Sequence, residues 1–228
     1  VDFDSIPFEV LPGEINLYNK EGNAEEFHDV VKRLAVEWEE RCPLRLVFID
    51  TLATASGGVF KSTNAGTSWT PVFDNVNAMQ SIGDVTVAPS APNTVWVGTG
   101  ENNNRQSTSW GSGVYKSTNG GITWSVLTST SSNTPHAFDN VWDLAWRIAV
   151  DPSDTVNNVL YAATYGAIFR STNGGTSWSV EKGSNSTSPF SYFADVAVTG
   201  NGTVYATLSS DGTYGGIWRK DKSLGWAE

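Results

Sequence analysis

Asp84, Arg147 and Asp195 are the residues whose types and spacing could do chemistry together. Each heads a copy of one recurring segment: DVTVAPSAPNTVWVGT from residue 84, RIAVDPSDTVNNVLYAAT from 147 and DVAVTGNGTVYAT from 195. Every copy reads as a short β-branched strand, a turn built from Pro, Asn or Gly, and a second strand. If the copies stack about a common axis, a carboxylate, a guanidinium and a second carboxylate meet at one mouth. Such a set can hydrogen-bond a sugar or a peptide, or the three groups can neutralise one another as a structural network. Asp84 and Asp195 are also the candidates for glycoside hydrolysis, which needs two carboxylates roughly 5–9.5 Å apart.

A second set lies in the loop GENNNR at 100–105, where Glu101, Asn103 and Arg105 are followed by Trp110. Acid, amide and aromatic side chains together form a carbohydrate contact set, and they also describe an ordinary solvated loop. The run PHAFDNVWDLAW at 135–146 gathers His136, Asp139 and Asp143 around Trp142 and Trp146. One histidine among acids is a thin metal signal, and core packing of the two tryptophans is the plainer account. Cys42 is the single cysteine, so no disulfide framework or cysteine-based metal site is expected. No metal and no cofactor are expected.

The elements that must position these residues are announced by a repeat. STNAGTSW at 62–69, STNGGITW at 117–124 and STNGGTSW at 171–178 are near-identical, with offsets 117 − 62 = 55 and 171 − 117 = 54. A fixed period in this range, with one supersecondary unit per repeat, marks a propeller or a solenoid. Alternating strand character precedes each octet, in GVFK at 58–61, GVYK at 113–116 and AIFR at 167–170. Added to the paired strands above and to the strand that follows each octet, that makes four strands per period, the content of one antiparallel propeller blade.

Within the octet the logic is a tight hairpin. The short polar side chain of Asn64, Asn119 or Asn173 bonds back to the turn, and Gly66, Gly121 or Gly175 takes a conformation closed to other residues. Trp69, Trp124 or Trp178 then opens the next strand and is expected to pack into its own blade. Ser62, Ser117 and Ser171 begin the three octets.

On these motifs residues 57–228 resemble the Asp-box (BNR-type) β-propeller family, whose members include sialidases, xyloglucan hydrolases, sortilin-like receptors and secreted bacterial surface proteins. The stretch VWVGTGENNNRQSTSWGSGVYKSTNGG at 95–121 is most similar to the last group. The resemblance implies that the octets sit on the rim as structural devices, away from the central channel where ligands bind. It also implies an extracellular or cell-surface setting. Arg170 precedes an octet and is expected on the rim. That leaves Arg105, Arg147 and Arg219, with no recognisable arginine-bearing sialidase motif around them.

Residues 57–73 supply half a blade, 84–127 and 144–181 one each, and 194–228 most of another with a degenerate octet. About three and a half blades fall short of the ~4–8 that propellers use. The expectation is therefore a propeller fragment, with further blades coming from a longer parent chain.

The first 56 residues have another character. AEEFHDVVKRLAVEWEE at 24–40 carries Phe27, Val30, Val31, Leu34, Ala35 and Trp38 on one amphipathic stripe, with Asn23 as N-cap. Pro43 stops the helix, and Leu44–Ile49 comes next as an apolar strand ending on Asp50. Residues 8–58 resemble the Walker B segment of RecA-fold ATPases of the replicative-helicase type, which by analogy assigns Asp50 to Mg²⁺. No G-x-x-x-x-G-K-[ST] loop exists to cradle phosphates, so no ATP hydrolysis is expected, and this segment is of cytoplasmic type.

Composition changes at the same place. Residues 1–56 hold 12 acids and 5 bases, net −7, and residues 57–228 hold 12 acids and 9 bases, net −3. Gly57-Gly58 therefore reads as a seam between two unrelated pieces, natural or chimeric. The total of −10 argues against nucleic acid as a partner, because phosphate binding needs a basic face. No apolar run approaches the ~20 residues that span a bilayer, and the acidic N-terminus does not read as a secretory leader. The chain opens on Val1 and its one methionine is Met79, so the expectation is a chain trimmed, processed or cut from a longer reading frame.

The sequence thus predicts a mainly β fold: a partial β-propeller of four-stranded antiparallel blades at 57–228, behind a short α/β segment at 1–56. Its expected function is that of a glycan- or protein-binding module. A glycoside hydrolase of the Asp-box group is the alternative, and an inactive ATPase fragment the second.

Overall fold

The computed structural model describes residues 46–48, 58–76, 81–100, 110–131, 134, 137–156, 158–184, 193–209, 215–222 and 225–227. The expected helix at 24–40, and Asp50, Glu101, Asn103, Arg105 and His136, lie outside them. By its contacts the chain falls into two units, Val1–Val47 with Phe60–Pro71, and Phe48–Val59 with Val72–Glu228.

Three short strands, β1 (Leu46–Phe48), β2 (Val59–Lys61) and β3 (Thr70–Pro71), form a sheet in that order. Phe60 faces Pro71 and Lys61 faces Thr70 across an antiparallel hairpin whose turn is the first octet. The structure thus sets Leu46–Phe48, the middle of the apolar strand read from the N-terminal segment, beside β2.

The larger unit holds three four-stranded sheets, each an antiparallel meander. The second sheet consists of β4 (Ile82–Ala88), β5 (Ala91–Thr99), β6 (Val114–Ser117) and β7 (Ser125–Val126). The third consists of β8 (Ala145–Val150), β9 (Leu160–Thr164), β10 (Ala167–Ser171) and β11 (Ser179–Gly183). The fourth consists of β12 (Phe193–Val198), β13 (Val204–Ser209), β14 (Gly216–Lys220) and β15 (Trp226–Ala227). Strand β4 packs on β8, and β8 on β12, so the first strands of successive sheets are neighbours and the fourth strands lie outermost. This is the blade arrangement of a β-propeller.

Two cores glue the sheets face to face. Trp96, Val114, Ile148, Ala162 and Phe169 fill the space between the second and third sheets. Tyr161, Ala163, Ile168, Val196 and Leu208 fill that between the third and fourth. Strand β9 serves both cores: Leu160 and Ala162 turn one way, Tyr161 and Ala163 the other, and all are buried. That is why its sequence is a continuous apolar run, because a sheet covered on both faces has no polar side. Strand β13 alternates instead, with Val204, Ala206 and Leu208 buried and Tyr205, Thr207 and Ser209 exposed, the pattern of a sheet with one face in solvent.

Close approach of the first strands depends on glycine. A Cβ on Gly98, in β5, would stand 2.7 Å from the Ala145 carbonyl oxygen and 2.9 Å from the Ala145 Cβ. Gly98→Ala therefore pushes β8 away from the second sheet, and it is expected to lower stability by about 1–3 kcal/mol in urea denaturation. An unchanged midpoint would show that the strand contact is soft.

Candidate functional site

Antiparallel register decides which groups share an end of the sheets. Asp84 pairs with Gly98, and Gly98 with Val114, near the start of β4 and β6. Ser117, which begins the second octet, pairs with Val95, and Val95 with Val87, near the opposite end. The aligned charged residues and the octet turns therefore occupy opposite ends of the strands.

At the first end the structure brings Asp84, Arg147 and Asp195 together. Arg147 lies between the two acids, its Nε 3.0 Å from Asp195 Oδ1 and its Nη1 3.6 Å from Asp84 Oδ1. The other Asp84 oxygen, Oδ2, accepts the Ile148 N–H at 2.7 Å. Asp195 Oδ1 also accepts the Val196 N–H at 2.8 Å. Three strands from three sheets are thus joined by one acid–base–acid chain, and the Asp84–Ile148 hydrogen bond was not readable from sequence.

The three groups differ in exposure. The Asp84 side chain is 12% exposed, against 41% for Arg147 and 59% for Asp195. Burial pushes the Asp84 carboxyl up to about 6, against the pull of Arg147 and of the Ile148 and Val85 N–H groups. Burial works against the charge on Arg147 as well, and the two carboxylates outweigh it and hold its pKa above the ordinary guanidinium value. Asp84 is therefore the buried brace of the cluster, while Arg147 and Asp195 turn polar edges to solvent.

Trp110 lies elsewhere. Its ring stacks on Phe138 at 4.8 Å, and Phe138 meets Tyr165 edge-on, so Trp110 is part of an aromatic packing cluster beside the second core. Trp142 packs on Phe169 at 4.5 Å and on Trp178 at 5.0 Å. Asp143 ends a short 3-10 helix, Val141–Asp143, and its Oδ2 accepts the N–H groups of Asp139 and Asn140. That carboxylate is committed to a capping box. Arg219 pairs with Asp221 at 2.9 Å.

The three octets repeat one hydrogen-bond pattern. In the first, the buried Ser62 hydroxyl donates to Asn64 Oδ1 at 3.0 Å and accepts the Gly66 N–H at 2.8 Å. Asn64 Oδ1 accepts the Ser68 N–H, and its Nδ2 donates to the Ser68 hydroxyl. Ser117, Asn119 and Gly121 repeat this with Thr123, as do Ser171, Asn173 and Gly175 with Ser177. Gly66, Gly121 and Gly175 have φ of +82°, +87° and +93°, which a side chain would strain. These polar groups satisfy one another within the turn, which leaves them with a structural task.

One of the octet tryptophans, Trp124, reaches outward, where the sequence suggested packing inside its own blade. Trp124 donates its indole N–H to the Val72 carbonyl at 2.6 Å and sets its ring edge-on to Phe73, and Trp178 sits against the core shared by the second and third sheets. Trp69 is half-buried beside β3.

No protein-family model and no curated protein matches the chain. Solved structures do. An ancestral GH74 enzyme superposes with a TM-score of 0.57 over 81% of this chain, at 23% identity. The GH74 xyloglucanase from Xanthomonas campestris gives 0.49 over 75% at 15% identity, and YCF48 from Cyanidioschyzon merolae 0.37 over 64% at 19%. The chain matches 24%, 27% and 36% of those chains, respectively. The superposition on the ancestral enzyme shows a shared fold, a β-propeller.

Proposed function

We propose that this chain is part of an extracellular Asp-box β-propeller that binds a glycan or protein ligand at the end of the sheets where Arg147 and Asp195 lie. The observation that carries the reading is a cationic donor and a carboxylate, both open to solvent, held in place by a buried third group. A pre-set donor–acceptor pair of this kind suits hydroxyl or amide recognition, because the side chains lose little freedom on binding. The exposed face of the fourth sheet would take a further blade from a longer parent chain.

Titrating the protein with xyloglucan oligosaccharides by calorimetry tests the glycan form. Arg147→Ala is expected to weaken binding by at least about tenfold, the cost of one charge-assisted hydrogen bond. Binding that is untouched by Arg147→Ala and Asp195→Ala would remove this end of the sheets from consideration.

One observation favours a second reading, a glycoside hydrolase. A buried carboxyl near pKa 6 beside an exposed carboxylate is the environment split that separates a general acid from its partner. Hydrolysis of xyloglucan or sialosides that disappears in Asp84→Asn, with the fold intact, would decide for the enzyme. The inactive-ATPase reading turns on Asp50, which lies outside the described residues.

A further inference from the structure

The joint between the second and third sheets shows how an octet turn is received. Trp96 and Lys116 face each other across β5 and β6. The Trp96 indole N–H donates to the Gly174 carbonyl at 3.1 Å, and Lys116 Nζ reaches the same oxygen at 3.3 Å. Ser129 adds a hydroxyl to the Gly175 carbonyl at 3.1 Å. One aromatic and one cation thus hold a main-chain carbonyl supplied by the Gly-Gly turn of the third sheet.

The third sheet carries the same receiving pair at the same register, Tyr161 opposite Arg170. In the fourth sheet the sequence between β14 and β15 is DKSLG, with no Gly-Gly. At this joint the structure has a cleft of about 310 Å³, lined by Tyr161, Arg170, Asp151, Lys220, Asp221 and Lys222 among others. Arg170 packs over the Tyr161 ring, and its buried Nε has no hydrogen-bond partner among the described residues. Its Nη1 lies 4.0 Å from Glu181, at the far limit of an ion pair. Lys220 is held by Glu181, and Asp221 by Arg219 and Thr203.

We propose that this cleft is a small-molecule site that takes an acidic sugar of uronic acid type, its carboxylate received by Arg170 and Lys222 where the preceding joint holds a glycine carbonyl. The chemistry sorts by sign. Arg170 and Lys222 supply donors for the carboxylate, while Asp151 and Asp221, each with Oδ1 already bonded, to Ser153 and to Arg219 and Thr203 respectively, offer their Oδ2 atoms to ring hydroxyls. A bare carboxylate would leave most of the space empty, since ligand clefts of about 300 Å³ suit a sugar-sized molecule. Tyr161, buried beneath Arg170, backs the cleft. The cleft lies at the octet end of the strands, because Arg170 pairs with Tyr161 and Tyr161 with Ala149, toward the end of β8. It is therefore separate from the Arg147 cluster.

The test is a titration of ¹⁵N-labelled protein with D-glucuronate and, separately, D-glucose, read on the arginine Nε–H resonances. Glucuronate is expected to move the Arg170 signal along a single-site curve, with glucose moving it far less. Arg170→Gln is expected to weaken glucuronate binding about tenfold, and the surface change Lys222→Gln by a smaller factor. The Lys222 variant keeps the proposal testable if loss of Arg170 unfolds the joint. No shift at Arg170, an equal response to glucose, or a response centred on Arg147 would each overturn it.

Discussion

Trp96→Ala is expected to be among the most damaging single substitutions among the described residues, lowering stability by about 3–5 kcal/mol in urea denaturation. Trp96 is fully buried in the core between the second and third sheets. The substitution removes an indole from that joint, and with it the N–H that holds Gly174. Trp96→Phe separates the two contributions. It keeps most of the apolar volume and leaves the Gly174 carbonyl to Lys116 alone, so a loss of only about 1–2 kcal/mol is expected. If Phe costs as much as Ala, the hydrogen bond to the octet turn holds the sheets together more than the packing does.

Asp84→Ala is expected to cost about 2–3 kcal/mol, because it strands a buried N–H on Ile148 and removes one of the two carboxylates at Arg147. Asp84→Asn keeps an acceptor for Ile148, and it exposes the pH dependence. The folded pKa of about 6 stands above the ordinary aspartate value of 3.8, so the folded state holds the Asp84 proton more tightly than the unfolded chain does. Stability from this group is full below pH ~4, falls as pH rises through ~6, and is flat above.

Asparagine does not titrate. As pH rises across that window, the difference between Asp84→Asn and the wild type should therefore shift in the variant's favour, by up to about 3 kcal/mol at about 1.4 kcal/mol per pKa unit. Thermal melts of both proteins at about pH 4 and pH 7 measure it. A gap that stays constant would mean that the folded and unfolded chains hold the Asp84 proton equally tightly.

The two substitutions also bear on function. Should Asp84→Asn fold normally and lose an activity that the wild type possesses, the buried carboxyl works on a substrate. Should only Arg147 and Asp195 matter for binding, Asp84 is their support. The pH profile of stability reports the carboxyl itself, whichever ligand is present.

Local chemistry made part of this legible in advance. Ser, Asn and Gly at set positions of an octet specify a hairpin by bonds within eight residues, so three copies with offsets of 55 and 54 announced the sheets and their strand count. The same period aligned Asp84, Arg147 and Asp195, because a repeat carries register with it. Their meeting needed no further information than that the sheets stack in order. The alternation in β13 and the unbroken apolar run of β9 were equally present as letters, but which of them faced solvent depended on neighbours.

The tertiary structure alone decided the joints between sheets. The Trp96 indole reaches Gly174, 78 residues away in sequence, and Asp84 reaches the Ile148 N–H across 64. Neither pairing has a local signature, since each depends on the distance between two sheets, and that distance is set by small residues such as Gly98 and Ala145. The cleft beside Arg170 has the same origin. Tyr161 and Arg170 are ordinary strand residues by themselves, and only the packing of the third and fourth sheets places them beside Lys220, Asp221 and Lys222. Repeats specify each blade through short-range bonds, whereas the joints between blades depend on which side chains neighbouring repeats bring together.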